Sequence, residues 1–246
     1  MALLLLLCMV LQSEDFDELS AQLHLETGNA FLQQGLLEQA EHEFHLALEA
    51  REDCHSALLG LGRVYKAYSS YERAADYFRD FVAVSPDDYR GYYELACLML
   101  DTGRPDSAFM MTDSAFVRAP TNPDVWLLSG RTALASADTV AAERWFIRGL
   151  QDPGAVGLES RMLLGSVYRA TGRSVESREL LLPAAQAGYA PAWWGLAMGY
   201  LSWNDYMRAV DAIQNYLGLA PGGVYADSAF LVLQALAESG DFIVPD

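Results

Sequence analysis

The chain is poor in the residues that carry most chemistry. It has three cysteines and four histidines among 246 residues, and 16 cationic side chains against 33 acidic ones. The formal charge of -17 argues against a nucleic-acid backbone as ligand, because such a surface repels phosphate. No Gly-Lys-Ser phosphate loop, GxSxG elbow or HExxH pair is present. Gly60-Leu61-Gly62 lacks the third glycine and the preceding strand of a nucleotide loop, which leaves it a packing feature. The histidines His24, His42, His45 and His55 crowd into the first 55 residues. His42 and His45 stand at i, i+3 around Phe44, but no cysteine pair completes a metal site, and solvated surface histidines are the expectation. Neither a catalytic constellation nor a cofactor is expected. Cys54 and Cys97 have several helices between them, beyond the reach of a disulfide, so two thiols are expected.

Long apolar runs are also missing. The run from Ala2 to Leu11 is ten residues, too short to span a bilayer. It suits the core of a secretory signal peptide over residues 1–13, with cleavage near Ser13, although only the amino terminus supplies the usual positive charge. Cys8 raises a lipoprotein reading, and with it a membrane surface. Leu7, however, stands where a lipidation motif wants a small residue. The alternative is an apolar first helix in a cytosolic protein.

What the sequence has in plenty is a repeated helical pattern. Leu58, Leu61, Gly62 and Tyr65 fall at i, i+3, i+4 and i+7, one stripe of a helix, and Ala74, Phe78 and Phe81 form a second. In register with Gly62 stand Gly28, Ala96, Gly130, Gly165 and Ala197, so the six positions are 34, 34, 34, 35 and 32 residues apart. Three residues beyond each comes Phe31, Tyr65, Met99, Ala133, Tyr168 or Tyr200. Twelve beyond comes Ala40, Ala74, Ala108, Ala142, Ser177 or Ala209, small enough for two helices to approach closely. Turns are expected near Gly35, Ser69, Gly103, Ala137, Gly172 and Asn204. Units are expected near 21–54, 55–88, 89–122, 123–157, 158–189 and 190–223. A capping helix over 224–239 and a tail over 240–246 follow.

This arrangement resembles the tetratricopeptide repeat, a 34-residue helix-turn-helix, most closely through Leu61, Gly62, Tyr65, Ala74, Phe78 and Pro86. Trp126, Gly130, Ala142 and Phe146 match it again. The stretch from Ala184 to Tyr200 looks more like the related Sel1-type repeat. The resemblance implies an all-α fold, a right-handed superhelical solenoid of about six units with a C-terminal capping helix, built as one continuous body.

The same resemblance implies that the first helix of each unit lines a concave groove. Its inward column reads Leu25, Leu59, Tyr93, Leu127, Met162 and Trp194, all apolar, and the next columns bring Arg63, Lys66, Arg131 and Arg169. With the flanking columns, Arg90, Asp101, Asp124 and Glu159 join, so the patch is positive on an acidic protein. The expected ligand is a peptide, extended or helical, with apolar anchors and some acidic residues. The family's Lys/Asn clamp for a terminal carboxylate is not matched: Asn29 fills one slot, but Leu25, Gly60 and Glu94 hold others. The reading is a noncatalytic interaction scaffold or adaptor, exported to the periplasm or envelope. The alternatives are a structural solenoid that self-associates and a cytosolic adaptor.

Overall fold

The computed structural model describes residues 14–239, and every regular element among them is an α-helix. The chain divides into two compact units at Pro120 and Thr121. The leader, Cys8 and the tail read from the sequence lie outside the described residues. The first unit holds α1 (Glu14–Gln33), α2 (Leu37–Ala50), α3 (His55–Ala67), α4 (Tyr71–Val84), α5 (Tyr89–Asp101) and α6 (Pro105–Arg118). The second holds α7 (Pro123–Ala135), α8 (Thr139–Gly149), α9 (Ala155–Ala170), α10 (Ser174–Gln186), α11 (Ala190–Ser202), α12 (Tyr206–Leu219) and α13 (Ala226–Ser239).

Consecutive helices pair as hairpins, and all six hairpin turns are closed alike. Gly35, Ser69, Gly103, Ala137, Gly172 and Asn204 have φ between 56° and 77°, the left-handed conformation that ends a helix. The next residue's N–H then reaches back five positions, as in Leu36 to the Phe31 carbonyl (2.9 Å), Ser70 to Tyr65 (2.8 Å) and Arg173 to Tyr168 (2.7 Å). Some helix starts carry a side-chain cap: the carboxylate of Asp88 accepts from the Arg90 N–H at 2.9 Å, and the amide oxygen of Asn122 accepts from the Asp124 N–H at 2.8 Å.

Close packing explains the small residues. Phe44, fully buried on α2, lies between Gly28 of its own hairpin and Gly60 of the next; a Cβ would stand 2.8 Å from the ring at the first and 2.5 Å at the second. Phe78 against Gly62 and Phe146 against Gly130 repeat the device within their own hairpins. In the second unit, Ala229 of α13 packs with Ala212, Ile213 and Tyr216 of α12, so the last helix covers the apolar face of the last hairpin. Cys54 and Cys97 are half-buried thiols.

Candidate functional site

The first helices of the hairpins carry the residues expected to meet a ligand, and each unit presents its own set. In the first unit, α3 and α5 are joined by two ion pairs. Arg63 donates through Nε and Nη2 to Oε1 of Glu94, each at 2.6 Å, and Lys66 Nζ lies 2.7 Å from Oδ2 of Asp101. The expectation that Arg63 and Lys66 hold an acidic ligand is therefore corrected. Carboxylates one repeat further along already occupy both cations, and Glu94 is buried with its charge balanced by Arg63. Leu59 requires a second correction. It is 2% exposed and packs with Phe78, Phe81 and Leu95, so it is core rather than groove. Tyr93 remains half-buried on α5.

In the second unit, Leu127 is likewise core, packed with Phe146 and Leu164. The other expected residues stay at the surface. Arg131 on α7 is exposed, and neither it nor Arg169 on α9 pairs with a carboxylate among the described residues. Arg169 is half-buried, and burial pushes its pKa below the usual arginine range, the mark of a cation that has lost water without gaining a partner.

Met162 lines a cavity of about 510 Å³. Leu158, Glu159, Tyr189, Tyr216 and Tyr225 are also in its wall, which is drawn from α9, the start of α11, the end of α12 and the loop before α13. Trp194 stacks on Tyr225 with ring centroids 5.5 Å apart and leans on Tyr216 at 6.3 Å, stiffening the far wall. Burial, and then the Glu159 charge, raise the pKa of the Tyr189 hydroxyl above the usual tyrosine value.

Tyr189, Tyr216 and Tyr225 were not among the residues picked from the repeat columns. They lie outside the first-helix register: one opens a helix, one closes a second helix and one sits in a loop. The signal for them was Pro221-Gly222-Gly223. A Cβ on Gly223 would meet the Tyr216 hydroxyl at 2.5 Å, so glycine lets the loop fold in, and the Tyr225 N–H donates to that hydroxyl at 2.9 Å.

The histidines have local roles or none. His24 Nδ1 lies 2.7 Å from Glu43, His55 Nδ1 lies 3.0 Å from the Ser85 hydroxyl, and His42 and His45 are exposed. Among the described residues, no group of three His, Cys, Asp or Glu side chains is placed to hold a metal. Among the same residues, no helix is long and apolar enough to cross a membrane.

Comparison with known proteins gives the fold a setting. A family model described as a tetratricopeptide repeat matches residues 25–67. No curated protein matches the chain significantly in sequence. Among solved structures, PilF of Pseudomonas aeruginosa superposes with a TM-score of 0.70 at 18% identity, over 89% of this chain and 98% of that one. PilW, described as a widely conserved type IV pilus biogenesis factor, gives 0.71 at 14%, over 85% and 98%. A tetratricopeptide-repeat protein of Thermus thermophilus gives 0.59 at 18%, over 86% and 99%. Likeness at these identities shows a shared fold.

Proposed function

Because the chain carries tetratricopeptide repeats, we propose that it is a noncatalytic adaptor, holding a peptide of a partner protein against the first helices of its hairpins. The observation that carries this reading is the apolar cavity of about 510 Å³ at Met162, on a helix whose Arg169 makes no ion pair among the described residues. A partner's side chain buried there supplies affinity, and charge fixes its register. Arg131, Met162, Arg169 and Trp194 remain the groove residues proposed for the second unit and Tyr93 that proposed for the first, with Arg63 and Lys66 serving the scaffold. Comparing proteins recovered with wild type and with the Met162→Asp, Arg131→Glu double variant tests it. A set lost in the variant while helicity is unchanged supports the groove; an identical set overturns it.

The proposed place of action is the cell envelope. The apolar run from Ala2 to Leu11 and the likeness to PilF and PilW support it. Intact mass of the protein from the fraction that contains it decides the matter: a chain beginning near Glu14 outside the cytoplasm supports export, and a full-length cytosolic chain refutes it.

A second reading, self-association, draws on α6. Phe109, Met110 and Val117 are 63%, 64% and 70% exposed and share one face of that helix. Light scattering over a concentration series separates the readings, since self-association raises the mass.

A further inference from the structure

The solvent-facing side of α9 carries three different chemistries in line. Glu159, Met162, Ser166 and Arg169 follow one another at spacings of 3, 4 and 3 residues, which keeps them on one stripe of the helix. The helical rise puts Glu159 about 4.5 Å before Met162 along the axis, and Arg169 about 10.5 Å after it. Neither charge makes an ion pair among the described residues. Glu159 stands at the edge of the Met162 cavity beside Tyr189, whereas Arg169 is not part of its wall. The stripe therefore reads anion, apolar cavity, polar step, cation over about 15 Å, the length of about five residues of extended chain.

We propose that this stripe selects a peptide in the extended polyproline II conformation, whose side chains three apart share a side, with the complementary order: a basic residue, a large apolar residue beside it, and an acidic residue three positions further on. The proposal rests on the adaptor reading above and narrows its ligand. The apolar side chain enters the cavity over Met162. The basic side chain meets Glu159 and the Tyr189 hydroxyl, and the acidic one meets Arg169, restoring to that guanidinium the partner it lacks. Mixed charge also suits a protein of net charge -17, which would repel a purely acidic peptide before contact.

The test uses the full chain and two labelled, terminally blocked peptides of one composition. They are Lys-Phe-Gln-Ser-Glu and its charge-swapped form Glu-Phe-Gln-Ser-Lys, with affinity read by fluorescence anisotropy at low salt. The expected result is about a tenfold preference for the first, shrinking as salt screens the ends. A Glu159→Lys, Arg169→Glu double variant is expected to invert that preference, and binding of the swapped peptide shows in itself that the variant is folded. Equal binding of both peptides, lost in Met162→Asp, overturns the charge order while leaving the adaptor reading intact. No binding of either peptide, nor of any member of a random heptapeptide library, overturns both.

Discussion

Phe44 offers the sharpest check on how the hairpins are held together. A methyl group at position 60 would stand 2.5 Å from two carbons of the Phe44 ring and 2.7 Å from a third, where about 3.5 Å is comfortable. The ring cannot simply retreat, because the backbone at Gly28 closes its other side. Overpacking of this kind costs about 2 kcal/mol. Alanine's better helix propensity offsets about 1 kcal/mol of that, so Gly60→Ala is expected to destabilise by about 1 kcal/mol. Gly199, inside α11 with nothing within 4 Å of its missing Cβ, is the control, and Gly199→Ala is expected to stabilise by about 1 kcal/mol. Shortening the ring reverses the first sign. In a Phe44→Leu background the new methyl group has room, so Gly60→Ala should stabilise, a coupling of about 2 kcal/mol. Repeat proteins unfold piecewise, so the readout is hydrogen exchange at the amides of α2 and α3 rather than one global midpoint. Additivity of the two substitutions within about 0.5 kcal/mol would refute the claim that ring and glycine are in contact.

Three further outcomes follow from single sites. Ser69 and Ala137 hold left-handed turn positions with side chains that disfavour them, so Ser69→Gly and Ala137→Gly should each stabilise by about 0.5 to 1 kcal/mol in local hydrogen exchange; a loss at either contradicts the turn geometry. The hydroxyl of Ser160 is fully buried and has no hydrogen-bond partner among the described residues, so Ser160→Ala should gain about 1 kcal/mol, and a destabilised variant would reveal a bond made there. The Tyr65 hydroxyl donates to Glu41 at 2.6 Å, and that bond, with burial, pushes its pKa up to about 12. A raised value stabilises the fold fully below the unfolded pKa of about 10 and ceases to do so as pH climbs through 12. Alkaline titration of hairpin stability should therefore fall between those limits in wild type and be flatter in Tyr65→Phe; identical curves would count against it.

The repeat was legible because its constraints are local. A left-handed turn wants glycine or asparagine, and four of the six turns carry one, so the spacing of Gly35, Gly103, Gly172 and Asn204 marks the hairpins in the sequence. The ring column read three residues beyond each small residue proves to be the set whose carbonyls close those turns, Phe31, Tyr65 and Tyr168 among them. The site was harder to read. Leu59 and Leu127 obey the same periodicity as Met162, and only the packing of neighbouring helices decides which of the three faces solvent. Arg63 and Arg169 look alike in the repeat register as well. What separates them is a carboxylate 31 residues beyond Arg63, at Glu94, with no counterpart for Arg169. The cavity escaped the column argument because its aromatic wall belongs to no column.

The seam between hairpins also sets their order. The position that is Gly60 in the second hairpin is Glu94 in the third and Gly195 in the sixth. Gly60 admits the ring of Phe44, Gly195 admits the branched end of Leu181, and Glu94 instead presents a carboxylate that needs Arg63. A hairpin moved to another place in the row would bring a socket that does not fit its new neighbour's knob, or a charge without its counterion. The hairpins are thus not interchangeable beads on a string: duplication or shuffling of one of them is tolerated only where both of its seams change together.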